Sequence, residues 1–337
     1  MYKMSIKSTL LYFFLFIALS FCTLAQKFIK INGFTQGTTY SLTFGADNSS
    51  FFQKGIDSIL SQIDQTFSSY NKNSILNKIN INQQDVVLNE DFIDLFKISE
   101  RISKKSFGAF DITVGPLVRA WGFGADNIIR IDTTKIDSFL KITGYKKVAF
   151  KKGRVVKENA NIKLDFNGIA QGYSVDLLAE FLEKYKVKNY MVEIGGEVRT
   201  KGNNERGEMW LIGIDKPTDD PSTGVHELQT IVKISGKAIS TSGNYRRFYI
   251  KDGKRYAHTI NPSTGYPVNN GVLSVSVIAD DCTSSDAYDT AFMVLGLKKS
   301  LELIKKLKNV EAYFIYTDEN GKIQVAFSEG FKKYMDE

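Results

Sequence analysis

Apolar positions recur every three or four residues over 50–66, where Phe51, Ile56, Ile59, Leu60 and Ile63 predict a helix with that stripe turned inward. A second stripe, Phe92, Leu95, Phe96 and Ile102, predicts another helix over about 90–106. The spacing changes to strict alternation in GTTYSLTF (37–44) and VLSVSVIA (272–279), which predicts strands. In KLDFNGIAQGYSVDLLAEFLEKY both periods follow one another. Ile162 to Phe166 alternates like a strand, and Gly172 then opens an amphipathic helix with Val175, Leu178, Ala179 and Leu182 inward. A strand follows in YMVEI and ends at Gly195 and Gly196, and further on a hairpin is predicted to turn at Asp252 and Gly253. From Gly108 to Gly124, glycines and Pro116 interrupt any regular element, while Phe110, Trp121 and Phe123 either wall a planar ligand or fill an irregular core. Mixed helices and hairpins give an α+β fold, with largely antiparallel sheets and packed helices.

The N-terminus follows a different rule. Lys3 and Lys7 precede an apolar run from Leu10 to Phe21, short for a bilayer span but the right length for a signal sequence. Residues 1–25 are therefore expected to direct export and to be removed, leaving 26–337 as a single globular domain of one or two lobes. Two processing routes fit: lipidation at Cys22, with membrane association, or ordinary cleavage after Ala25. In either case Cys282 has no partner for an intramolecular disulfide and reads as a small buried hydrophobe.

Composition narrows the function. With 337 residues, 43% hydrophobic and 24% charged, the chain can bury a large core. Losing Lys3 and Lys7 lowers the formal net charge from +7 to +5, and the densest basic run, LKKSLELIKKLK, has the spacing of a solvated helix face. Nucleic acid is not an expected partner. Only two histidines are present. His226 sits in a polar loop without a companion motif, while His258 begins HTINPSTGYP and is a candidate proton acceptor or a residue that orients its loop. With so few His and Cys, a zinc site is hard to build.

Oxygen donors are better placed. In CTSSDAYDTAFMVLG, Asp286 and Thr290 lie four apart, so a carboxylate and a hydroxyl project together from one helix face, as magnesium prefers. The competing explanation is structural: Thr283 and Asp286 have capping-box spacing, and Ala287, Ala291, Val294 and Leu295 form an ordinary buried stripe. Asp289 could share a base role with Asp286. The glycines before the helix that Gly172 opens suit a phosphate, although neither a Walker lysine nor a GxGxxG order is present.

Taken in order, GTTYSLTF, FSSYNKNSILNKIN, GAFDITVGPLVRAWGFG, LDFNGIAQGYSVD, VEIGGEVRTKG, ISTSGNYRRFY, HTINPSTGYP and SSDAYDTAFMVLG resemble the ApbE family of FAD:protein FMN transferases, from about Gly37 to Leu297. The resemblance implies an ApbE-like, T-fold-related architecture. It also implies an exported magnesium enzyme that moves the FMN half of FAD onto a threonine or serine of another protein and releases AMP. By the same resemblance Asp286, Thr290 and the Gly168 carbonyl would hold the metal, and His258 and Asp286 would be catalytic. FAD would meet Gln36, Tyr70, Ala109, Phe110, Asp111, Asp165, Gln171 and Leu273, with Trp121 a further wall. The acceptor would carry a DGxTGAT-like motif, as on a respiratory flavoprotein subunit; this chain has none of its own. Gln36, Gln171 and Asn261 stand where the family often has Met, Lys and Asp. Two other functions remain compatible: an FAD pyrophosphatase using water, and a non-catalytic flavin-binding lipoprotein.

Overall fold

A computed structural model describes residues 26–123, 132–217, 227–244, 248–251 and 254–336. The expected leader with Cys22, His226 and the turn residues Asp252 and Gly253 lie outside them.

The chain opens with a hairpin, β1 (Phe28–Thr35) and β2 (Thr38–Gly45), turning through Gln36 and Gly37, both at positive φ. Positive φ at both central residues matches the right-handed twist of the flanking strands. Helices α1 (Ser49–Phe67), α2 (Ile75–Asn80), α3 (Glu90–Lys105), α4 (Gly115–Ala120) and α5 (Ile136–Lys141) follow, then the small hairpin β3 (Val148–Lys151) and β4 (Arg154–Lys157). Helix α6 (Ala170–Lys184) leads to β5 (Tyr190–Ile194), β6 (Glu197–Lys201), β7 (Trp210–Asp215), β8 (Leu228–Ile234) and β9 (Ala238–Gly243). After the hairpin β10 (Phe248–Lys251) and β11 (Lys254–Ala257) come β12 (Val272–Ala279), α7 (Cys282–Leu295), α8 (Leu297–Ile304), β13 (Glu311–Thr317) and β14 (Ile323–Phe327).

Eight of these strands form one sheet in the order β1-β2-β5-β6-β9-β12-β13-β14, with every neighbouring pair antiparallel. Alternation along the strands divides the core between the two faces. On β12, Val275 and Val277 join the core with α3 and α7, whereas Ile278 packs with Ile214 and Val232 of the β7–β8 hairpin on the other side. At the other end of the sheet, α1 and α6 cover Leu42, Phe44 and Val192.

Three expectations are corrected. Phe51 is 45% exposed, and Phe52 takes the inward position ahead of Ile56, Leu60 and Ile63, because 52, 56, 60, 63 and 67 keep the helical period that 51 breaks. Phe51 instead packs edge-on to Tyr185 at the rim. The interrupted segment from Gly108 to Gly124 contains a regular piece after all, α4, with Pro116 in its first turn, where proline's missing N–H costs nothing. Ile162 to Phe166 forms no strand. Its backbone is held by a side chain: buried Asn80 donates Nδ2–H to the Leu164 carbonyl (2.9 Å) and accepts the Leu164 N–H at Oδ1 (2.7 Å). Asn80→Ala leaves both groups unpaired, so we expect a loss of about 2–4 kcal/mol of stability, read by denaturant unfolding. A change below about 0.5 kcal/mol would show that Leu164 finds other partners.

Candidate functional site

Helix α6 begins without a cap of its own, since the preceding Ile169 has no side-chain acceptor. The acceptor comes from another helix: Asp286 of α7 takes the Gly172 N–H on Oδ2 at 2.8 Å. A carboxylate here also meets the positive end of the α6 dipole. The approach is close enough to require glycine, because a Cβ at 172 would stand 2.4 Å from the Cys282 carbonyl oxygen and 2.8 Å from the Asp286 Cβ. Just upstream, a Cβ at Gly168 would stand 3.1 Å from Thr290 Oγ1. The glycine loop and the late helix thus meet at both Asp286 and Thr290. Capping at α7 itself falls to Asp281, which accepts the Ser284 N–H, so no capping box joins Thr283 to Asp286.

A cavity of about 280 Å³ opens over this junction. Ala109, Phe110, Asp111, Val114, Val118 and Phe123 form one wall; Asp165, Asn167, Gly168 and Gln171 line the approach to α6. Thr241, Ser242 and Gly243 at the end of β9, with Glu197 at the start of β6, close the sheet side. His258, Asp286, Asp289 and Thr290 line the same space. Neither lysine nor arginine is among the described residues that line it.

The result is a concentration of buried carboxyl groups whose ionised forms are penalised. Burial pushes Asp286 up to about 7, the neighbouring Asp176 charge adds to this, and the Gly172 N–H opposes it. Asp289 is raised well above the ordinary carboxylate range by burial, then by Asp286 and Glu197. Burial also raises Asp111, against donors from Thr113 and Tyr145. A cation would relieve each of these penalties. Carboxylate, hydroxyl and backbone carbonyl are hard oxygen donors, so Asp286, Thr290 and Gly168 fit magnesium. Among the described residues no group of three or more His, Cys, Asp or Glu could hold a metal alone.

Of the sequence-derived candidates, Ala109, Phe110, Asp111, Asp165, Gly168, Gln171, His258, Asp286 and Thr290 share the cavity. Gln36, Tyr70, Leu273 and Trp121 do not line it. Tyr70 is 68% exposed, and Leu273 packs with the core on the other face of the sheet. Trp121 is buried against Tyr256 and donates Nε1–H to the Gly265 carbonyl at 2.8 Å, so it supports the loop after His258 rather than the cavity wall. Glu197 and the β9 end were not foreseen. The only local signal for Glu197 was its place directly after Gly195 and Gly196.

Residues 36–314 match the model of the ApbE family. The chain belongs to the ApbE family. Curated members named FAD:protein FMN transferase include that of Haemophilus influenzae, 34% identical with 94% of each chain covered. The member from Escherichia coli K12 is also 34% identical, over 93% of this chain and 91% of its own. Among solved structures, the flavin transferase ApbE from Vibrio cholerae superposes with a TM-score of 0.82 at 31% identity, covering 92% of this chain and 99% of that one.

Within this ApbE chain, the three departures from the family's usual residues have local explanations. Asn261 Oδ1 accepts the Ser263 N–H at 2.9 Å, a turn bond that an aspartate makes equally well. Gln36 Nε2 donates to Ser174 Oγ at 2.7 Å, pinning the β1–β2 turn to the first turns of α6. Gln171 lies against the Gly195 backbone, with Nε2 3.0 Å from where a Cβ at 195 would stand.

Proposed function

We propose that this chain is a magnesium-dependent FAD:protein FMN transferase, which joins the FMN half of FAD to a threonine or serine hydroxyl of another protein through a phosphoester and releases AMP. The observation that carries the reading is the meeting of Gly168, Asp286 and Thr290 in one acidic cavity, beside an aromatic and aliphatic wall suited to a flavin ring. Family membership and the names of the relatives support it.

Phosphoryl transfer asks the protein for position and charge compensation more than for covalent chemistry. Phe110, Ala109 and Phe123 offer faces for the isoalloxazine, and Asp165 and Gln171 line the path from that wall to the α6 start. Asp286, Thr290 and the Gly168 carbonyl would hold magnesium, which when bound neutralises charge on the diphosphate. The acceptor oxygen forms a bond to the phosphorus of the FMN half, and the bond from that phosphorus to the bridging oxygen breaks, so AMP leaves carrying the bridge. His258 lines the same cavity as Asp286 and Asp289 and is the group that would take the hydroxyl proton. The leader read in residues 1–25 supports export, so this work would be done in the periplasm, facing respiratory flavoproteins, either by a chain cleaved after Ala25 or by one held at the membrane through a lipidated Cys22.

One assay tests this. FAD, magnesium and a peptide carrying a DGxTGAT-like motif should give a covalently fluorescent peptide and one AMP per label. Free FMN with an unlabelled peptide would instead identify a pyrophosphatase, and intact FAD a flavin carrier.

A further inference from the structure

The residue that holds the late helix in place lies outside the cavity. Asp176, on α6 one turn beyond Gly172, has a side chain only 7% exposed. Its Oδ1 accepts the Cys282 N–H (2.9 Å) and Arg199 Nη1–H (2.8 Å). Its Oδ2 accepts the Thr283 N–H (2.8 Å) and the Thr283 hydroxyl (2.5 Å). Three of these four donors belong to the first turn of α7. Since Asp286 of α7 satisfies the start of α6, the two helices exchange carboxylates, each N-terminus being completed by the other's side chain.

Burying Asp176 is costly, and Arg199 on β6 offsets the charge while also reaching Glu183 at 3.9 Å. The anchorage therefore runs from the sheet through Arg199 to α6, and through Asp176 to α7. Asp286 and Thr290 lie on the next turns of α7. A shift of the first turn carries both of them relative to Gly168, and magnesium tolerates little departure from octahedral geometry. The α7 start is thus capped twice, Asp281 from its own chain end taking the Ser284 N–H and Asp176 from α6 taking the two N–H groups before it, and the second cap ties α7 to α6 and the sheet.

We propose that Asp176 is a positioning residue for the cation site: by gripping the first turn of α7 it sets Asp286 and Thr290 against the Gly168 carbonyl. This rests on the magnesium reading above, and Asp176 does not itself line the cavity.

The test uses the full mature chain with Mn²⁺ as probe, its binding measured by electron paramagnetic resonance without FAD, alongside steady-state kinetics. Asp176→Asn should weaken Mn²⁺ binding about 10–100-fold, as loss of an outer partner of a metal ligand does, and lower kcat with the KM for FAD nearly unchanged. Thr283→Ser, which keeps the hydroxyl, should bind Mn²⁺ like the parent chain; Thr283→Val should bind it more weakly. Phe331→Leu, in the fully buried core on the far side of the sheet, should lower Tm without altering Mn²⁺ affinity, which separates positioning from general destabilisation. Parent-like Mn²⁺ binding by folded Asp176→Asn would overturn the proposal. Should that variant fail to fold, Thr283→Val decides, and parent-like binding there overturns it equally. If the parent chain itself bound no Mn²⁺, the magnesium reading would be the one to fall.

Discussion

Gly172→Ala is expected to fold, lose stability and transfer almost no flavin. At an ordinary helix position this change is stabilising by about 0.5–1 kcal/mol, because glycine loses more backbone freedom on folding than alanine. Here the sign reverses. The new methyl would meet the Cys282 carbonyl oxygen at 2.4 Å and the Asp286 Cβ at 2.8 Å, neither of which can rotate away. Helices α6 and α7 must separate, at a cost of about 1–3 kcal/mol for overpacking. The same movement draws Asp286 and Thr290 from Gly168, and misplacement on the ångström scale costs a reaction of this kind about 10²-fold. Thermal unfolding and in-gel flavin fluorescence give the two readouts. A variant as stable and as active as the parent would mean that the helices do not approach this closely.

Asp286→Ala should also abolish transfer, by about 10²–10³-fold or more, since it removes the only charged member of the proposed magnesium donor set. Folding should respond differently, and Asp286→Asn shows how. An amide oxygen can still accept the Gly172 N–H, while the buried carboxylate and its repulsion with Asp289 are gone. In chelator the asparagine variant should therefore melt no lower than the parent. Adding magnesium should separate them again. At about 100 times the Kd a ligand stabilises the folded state by about 2.7 kcal/mol, and only the parent should gain this. Normal transfer by either variant in chelator would remove Asp286 from the reaction.

Local periodicity made much of this molecule legible. The α7 pair at 286 and 290, the helix opened near Gly172 and the alternating β12 all follow from spacings of 3.6 or 2. Where two apolar residues stood side by side, as Phe51 and Phe52 do, the period alone left the phase open by one residue, and packing against Phe44 decided it. Ile162 to Phe166 alternates like a strand, yet the Leu164 N–H and carbonyl pair with the amide of Asn80, more than eighty residues earlier, and no local pattern announces a side chain acting as a backbone. The resemblance to the family pointed to Ala109, Phe110 and Asp111 in the cavity's lining, but not to the bonds of Asp176. That residue sits in the quoted GYSVD motif, and its value depends on the first turn of a helix about a hundred residues away.

The same long separations bear on how the protein comes into being. Gly172 and Asp286 are 114 residues apart, and Asp176 and Thr283 are 107 apart, so the clasp closes a loop spanning a third of the chain. Closing a loop of that length costs conformational entropy that no local contact repays, so this junction is expected to form after the helices it joins. A nascent chain short of residue 282 would carry Phe110 and Gly168 but neither of the α7 oxygen donors proposed for the cation, so the proposed site can be completed only once α7 has been made.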